Sequence, residues 1–344
     1  MPLREPSPYP MLLEPRYLAK VWGGRRLERA FGRALPGGDS IGESWEFFDR
    51  PGGASRVRNG ALRGRTLAEL RGGRELPILV KILDVQDRLS VQVHPDRTTA
   101  HAHGTEAKTE AWIVLEADPG ARIWRGLREE TTPEAFRAAA AAGTVEGLLH
   151  SFEPKSGDVV FLQAGTVHAA GGGLLLAEVQ QSSETTYRLF DWNRPPDPKS
   201  RPLHLDAGLA AARLGPAGPD RVVPREREDE ENLRRLVLIA TPWFSVEHIT
   251  AAGVATLEIA GEDGEGADAE EAGAASDDAD ESRWRLLLIL SGRGTLRAFD
   301  RRAEPAPFGP GDTLLLPAAH DAYEIEPSGP ASVQALSFGG PDSR

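Results

Sequence analysis

Short stretches in which apolar and polar residues alternate with a period of two recur along the chain, and they predict β-strands more than helices. From Pro77 to Pro95, PILVKILDVQDRLSVQVHP reads as two strands, taken as a pair, joined by a polar turn at Gln86 to Arg88. Within LSVQVHPD, side chains two apart share a face, so Ser90, Gln92 and His94 project one way and Leu89, Val91 and Val93 the other. KTEAWIVL (Lys108 to Leu115) and ARIWRGL, separated by the turn Asp118-Pro119-Gly120, read as a second strand pair. TTPEAFRAAAAAGTVEGLL breaks the pattern: Thr132 can cap a helix, Pro133 suits its first turn, alanines extend it and Gly143 stops it. Strands then resume in GDVVFL, LLLAEVQQ and TTYRLFDW, enough to fill one β-barrel.

Residues 196–231, rich in Pro, Arg and Asp and carrying the alanine-rich patch AGLAAARLG, read as a connector. A second β-rich block begins near Leu236 with FSVEHIT, RWRLLLILSG, RGTLRAF and GDTLLLP. The expected organisation is an all-β chain: a catalytic barrel over 1–195 with a helical insertion at 132–149, the connector, and a second, non-catalytic barrel over 232–344. GDVVFLQAGTVHA at Gly157 and GDTLLLPAAHDAY at Gly311 share a Gly-Asp turn, an apolar strand and a following histidine, which points to two copies of one barrel. No ligand set like the first copy's surrounds His320, so it reads as structural.

The composition of the 344 residues supports this picture, since 37 Gly and 27 Pro favour many turns and short strands. A formal net charge of -12 disfavours nucleic acid and anionic membranes. Ten acidic residues and no basic one fall between Glu262 and Glu281, so the rest of the chain is nearly neutral. That run, within 261–282, has too little apolar surface to fold and reads as a disordered loop. No apolar stretch approaches a bilayer span and the N-terminus lacks a signal-peptide core, so a cytoplasmic protein is expected. Cysteine is absent, so any metal must be held by nitrogen and oxygen.

The polar face of LSVQVHPD must line something that satisfies it, because each buried polar group without a partner costs on the order of 1 to 3 kcal/mol. Lys108 and Glu110, two residues apart in KTEAW, offer an ammonium and a carboxylate to the same space, and His168 follows the turn Gln163-Ala164-Gly165. Gln92, His94, Glu110 and His168 form a hard-to-neutral set suited to Zn²⁺ or a similar divalent ion, with positions open for water or substrate. His101 and His103 have metal-ligand spacing too, but TTAHAHGTEAK reads as a polar loop. His150, His204 and His248 lack a patterned context and read as hydrogen-bonded or surface residues. If one strand runs through LLLAEVQQSSETTYRLFDW, Glu178, Gln180 and Arg188 share a face. Arg188, set among apolar residues, requires a carboxylate or an anionic ligand, and a salt bridge to Glu178 would suffice. Ser90, on the ligand face, is a candidate for binding substrate.

From Met11 to about Arg194 these motifs resemble the type I mannose-6-phosphate (phosphomannose) isomerases of the cupin superfamily, in their short bacterial form. The resemblance rests on WGGRRL at Trp22, IGESWEF at Ile41, LSVQVHPD, KTEAW, AGTVHA at Ala164 and AEVQQSSETTYRLFDW at Ala177. It implies two cupin barrels, one zinc ion on the four ligands above, and interconversion of mannose 6-phosphate and fructose 6-phosphate through a cis-enediol. Arg188 would lie near the reacting carbons or the phosphate, Lys108 would point into the pocket, and Trp22 and Glu43 would stand near its mouth. Trp22 could equally seal one barrel end. The general base stays open among Glu178, a zinc-bound hydroxide and a neutral Lys108. The family usually has proline where this chain has Gln163, a change expected to loosen the turn before His168. A sugar phosphate is the expected partner, and the chain is expected to be a monomer or a weak homo-oligomer. The alternatives are an isomerase of a free aldose such as mannose, or a non-catalytic sugar-phosphate-binding cupin.

Overall fold

The computed structural model describes residues 9–50, 52–72, 75–195, 202–227, 230–259, 284–317, 319–340. The acidic run 261–282 and the first residues of the connector lie outside them.

The first half is a sandwich of two antiparallel sheets. Six strands run in the order Val159–Leu162, Glu110–Ala117, Leu174–Gln181, Ile78–Val85, Ile41–Phe47, Arg16–Gly24. Against them stand Leu149–Phe152, Arg122–Leu127, His168–Gly171, Val91–Val93 and Tyr187–Phe190. The two expected strand pairs are therefore sheet-to-sheet corners instead. Ile78–Val85 pairs with Leu174–Gln181, while Val91–Val93 pairs with His168–Gly171 and Tyr187–Phe190. Glu110–Ala117 and Arg122–Leu127 are likewise divided between the sheets. A strand continuous through the SSE segment is also corrected: Glu178 lies in the larger sheet and Arg188 in the smaller. Alternation shows which residues face inward but not which strand lies alongside, and in a sandwich the hydrogen-bonding neighbours come from distant segments.

The helix Pro133–Ala142 forms as its sequence dictates, with the Thr132 hydroxyl accepting from the Ala135 N–H and Gly143 ending it in a left-handed conformation. It packs with Val91, Val93 and Tyr187 outside the smaller sheet. The alanine-rich part of the connector is a second helix, Leu205–Ala211, whose Leu209 is buried in the same cluster. Its apolar face thus covers the first barrel.

The second half repeats the large sheet. Its order, Arg225–Glu226, Leu233–Ala240, Ser245–Ala251, Val333–Gly339, Trp284–Ser291, Thr313–Pro317, is the six-strand order of the first sheet read from the other edge. Met11–Glu14 then extends this sheet by pairing with Thr313–Pro317, so the chain's first described strand lies in the second half's sheet. The outer faces of the two large sheets share one core, where Ile78, Val80 and Ile82 meet Leu286, Leu336 and Phe338.

A buried polar link crosses this junction. Arg33 donates to both oxygens of Glu46 at 2.6 and 2.9 Å and to the Gly311 carbonyl, and Thr313 Oγ1 donates to Glu46 at 2.9 Å. Glu46→Ala strands a buried guanidinium, and a chemical denaturation curve is expected to show a loss of about 3 to 5 kcal/mol. A loss under 1 kcal/mol would contradict the burial of the pair.

Candidate metal centre and active site

Three strands of the smaller sheet place the first groups. Gln92 stands between His168 and Arg188 in register, so all three side chains point from adjacent strands into the sandwich. The facing sheet supplies Glu110, Gln180, Glu178 and Lys81, brought side by side by the Glu110–Gln180 and Glu178–Lys81 pairings.

His94, Glu110 and His168 are 1%, 0% and 1% exposed, and each offers a ligand atom within 4.8 Å of the others. The Nδ1 of His94 lies 2.8 Å from the Thr185 carbonyl, and that of His168 2.8 Å from the Thr166 carbonyl. A carbonyl only accepts, so both Nδ1 atoms carry the proton and both Nε2 lone pairs face the centre. His94 Nε2 and His168 Nε2 lie 3.3 and 3.2 Å from the two Glu110 oxygens. Burial, with Lys108 nearby, lowers the His94 imidazole to about 3, so the ring is neutral. Burial alone would raise Glu110, but Lys108 and the imidazoles hold it well below the carboxylate range.

Among the described residues, neither His94 Nε2 nor either Glu110 oxygen has a well-aligned hydrogen-bond partner, although Lys108 Nζ approaches Glu110 Oε2 to 2.8 Å. Buried lone pairs converging without donors are what a divalent cation would satisfy, and the donor set fits one. The Gln92 amide nitrogen lies 3.2 Å from His168 Nε2, so a half-turn of the amide would present its oxygen to the same point.

Above the centre opens a cavity of about 670 Å³. Gln92, Lys108, Glu178, Arg188 and Ser90 line it, as do Trp22 and Glu43, while the three metal-compatible residues sit behind Gln92 and Lys108. Arg188 Nε donates to Ser90 Oγ at 2.9 Å. Glu178 accepts from Lys81 and from the Trp112 indole, both at 2.9 Å, in place of the salt bridge considered for Arg188. His101 and His103 stand away from the centre on the helix Arg97–His103, where His103 contacts the Tyr187 hydroxyl. His150 pairs with Asp220, and His320 with Asp300.

The turn before His168 is held despite Gln163. Thr166 N–H donates to the Gln163 carbonyl at 3.0 Å, Gly165 N–H to the His94 carbonyl at 2.8 Å, and Arg213 to Gln163 Oε1 at 2.8 Å. Gly165 takes φ +88°, a conformation that favours glycine. The expected loosening is thus offset by contacts from the segment after the second helix.

Lys81, Gln180 and Trp112 are site residues that sequence reasoning left unassigned. Lys81 is 7% exposed and donates to Glu178 and, at 2.7 Å, to Gln180. A lysine inside the apolar run PILVKIL was the available signal, because burying an ammonium demands a carboxylate.

At the rim, Lys20 lies 2.8 Å from Glu43 and the Trp45 indole donates to Glu43 at 2.7 Å. Burial would raise this carboxyl, but Lys81, Lys20 and the hydrogen bonds outweigh it and lower it to about 2. A depressed carboxyl stabilises the fold above its unfolded value and loses that contribution as pH falls through the folded value. Glu43→Gln is therefore expected to flatten the loss of stability between about pH 4.5 and about 2, each pKa unit being worth about 1.4 kcal/mol. Melting temperatures of the two proteins across that range check this, and parallel curves would refute it.

Residues 11–112 match the family model for the phosphomannose isomerase type I catalytic domain. The mannose-6-phosphate isomerase of Streptococcus mutans is 39% identical over 329 residues, covering 92% of this chain and 95% of its own length. ManA, a mannose-6-phosphate isomerase of Bacillus subtilis, is 32% identical over 92% of this chain and 96% of its own. A crystal structure of mannose 6-phosphate isomerase from Bacillus subtilis superposes with a TM-score of 0.80 at 29% identity, covering 96% of this chain and 99% of that one. A mannose 6-phosphate isomerase described as holo and zinc bound shares the fold with a TM-score of 0.71 at 16% identity, over 96% and 99% of the two chains.

Proposed function

Since the chain belongs to the type I phosphomannose isomerase family, we propose that it interconverts mannose 6-phosphate and fructose 6-phosphate in this cavity, with a zinc ion on His94, Glu110, His168 and Gln92. The observation that carries the reading is the convergence of buried lone pairs from His94 and Glu110, without well-aligned hydrogen-bond partners among the described residues, beside a cavity whose lining includes Lys108 and Arg188. When bound, the ion supplies a Lewis acid that stabilises negative charge on the sugar oxygens.

The reaction removes a proton from C2 of the open-chain aldose and returns one to C1, through a cis-enediol. Lys108 and Arg188 place positive charge in the cavity where the enediolate and the phosphate carry negative charge. Ser90 accepts from Arg188 Nε and so fixes the guanidinium plane before substrate arrives. Both Glu178 oxygens already accept hydrogen bonds, which suits it to position Lys81 more than to collect a carbon-bound proton. Glu178 and Glu43 keep Lys81 charged against its burial. Trp22 and Glu43 at the mouth contact the sugar as it enters.

A coupled assay on metal-analysed protein tests this. Turnover of mannose 6-phosphate should fall with chelation and return with zinc. Faster turnover of free mannose would move the activity to an unphosphorylated aldose, and sugar-phosphate binding without turnover would make the chain a sensor.

A further inference from the structure

The second barrel carries a charge-inverted copy of the first barrel's interior. In the first sheet Glu110 pairs with Leu162, five residues after Gly157; in the second, Arg285 pairs with Leu316, five residues after Gly311. Arg285 therefore holds the position of Glu110. Trp112 faces Glu178 and Leu287 faces Ser337; Glu178 then faces Lys81, and Ser337 faces Glu247. Glu43 opposes Leu83, two residues past Lys81, and Arg235 opposes Ile249, two past Glu247. Three charged positions have thus changed sign, and Glu178 has become a neutral serine.

Among the described residues, this arrangement carries more buried positive than negative charge. Arg235 and Arg285 are each 6% exposed, against one buried carboxylate, Glu247, at 7%. Glu247 is already shared, 3.0 Å from Arg227 Nη1 and 3.4 Å from Arg285 Nη1. Arg285 also donates to the Glu258 carbonyl at 3.0 Å and to Ser337 Oγ at 3.4 Å. Among the described residues, Arg235 reaches only half-exposed Glu230, at 3.4 Å, and its buried Nε has no hydrogen-bond partner. A buried guanidinium donor without an acceptor is costly, and guanidinium forks, one of them beside a hydroxyl, match the oxygens of a tetrahedral anion. Arg227 and Glu230, both partly exposed, mark the side open to solvent.

We propose that Arg235 and Arg285, with Ser337, bind a small phosphate-class oxyanion in the second barrel, apart from the catalytic cavity. Its source is inorganic phosphate or the phosphoryl group of a sugar phosphate. The test is calorimetric titration of inorganic phosphate into the full chain in an Arg188→Ala background, which weakens phosphate binding in the catalytic cavity. Binding should persist there and weaken at least tenfold on adding Arg235→Gln, or Ser337→Ala if the first variant folds poorly. Arg235→Gln alone should leave kcat and KM for mannose 6-phosphate unchanged. Absence of phosphate binding in the Arg188→Ala protein, or unchanged binding after both further substitutions, would overturn the proposal. Displacement of bound phosphate by fructose 6-phosphate would identify a sugar phosphate as the source, and no displacement would identify the free ion.

Discussion

Glu110→Gln should leave the purified protein without its metal and lower kcat for mannose 6-phosphate by about 10³-fold or more, several kcal/mol of lost transition-state stabilisation. Glutamine preserves shape, so the effect isolates charge. Glu110 is the anionic member of the proposed ligand set and is 0% exposed, with an imidazole near each oxygen. A neutral amide cannot balance a divalent ion there. It also leaves the Lys108 ammonium, 4% exposed and now 2.8 Å from a carboxylate, without that countercharge, so some thermal stability should go as well. Metal content by mass spectrometry, circular dichroism and the coupled assay separate these effects. A folded Glu110→Gln protein with stoichiometric zinc and activity within tenfold of the parent would end the assignment of the metal centre.

Arg188→Ala is the second large effect, with the opposite metal signature. Arg188 lies across the strand pair from Gln92 and is held by Ser90, so its loss leaves the His94, Glu110 and His168 lone pairs in place. Zinc should remain bound while kcat/KM for mannose 6-phosphate drops about 10² to 10³-fold, the usual scale for removing one charged donor from a developing anion. Arg188→Lys should recover only part of this, because an ammonium restores charge but not the planar fork. If the guanidinium serves chiefly the phosphate, the penalty should shrink to about tenfold or less with free mannose, as expected when the group it contacts is missing. Unchanged kinetics would remove Arg188 from the site.

Much of the site follows from alternation alone. In LSVQVHPD, Val91 and Val93 pack outward against the helices while Ser90 and Gln92 line the cavity and His94 joins the candidate metal centre, as a period of two requires. Apolar runs such as ILVKILDV show less, because the whole strand is buried and both faces look alike. Parity alone therefore does not assign Lys81 to the interior; only the charge of a lysine in an apolar run marks it.

The sequence by itself determined the strand-rich composition, the capped helix after Thr132, the inward parity of Gln92, His94 and Glu110 and the repeated Gly-Asp strand that marks two related halves. Only the tertiary structure decided which strands are neighbours, that Glu178 serves Lys81 and not Arg188, that Met11–Glu14 lies in the far sheet, and that the second interior inverts the charges of the first. The physical reason is range. Side-chain parity and helix capping are fixed within a few bonds of backbone, whereas pairing in a sandwich joins segments as distant as Lys81 and Glu178, whose attraction acts only once the chain has closed around them.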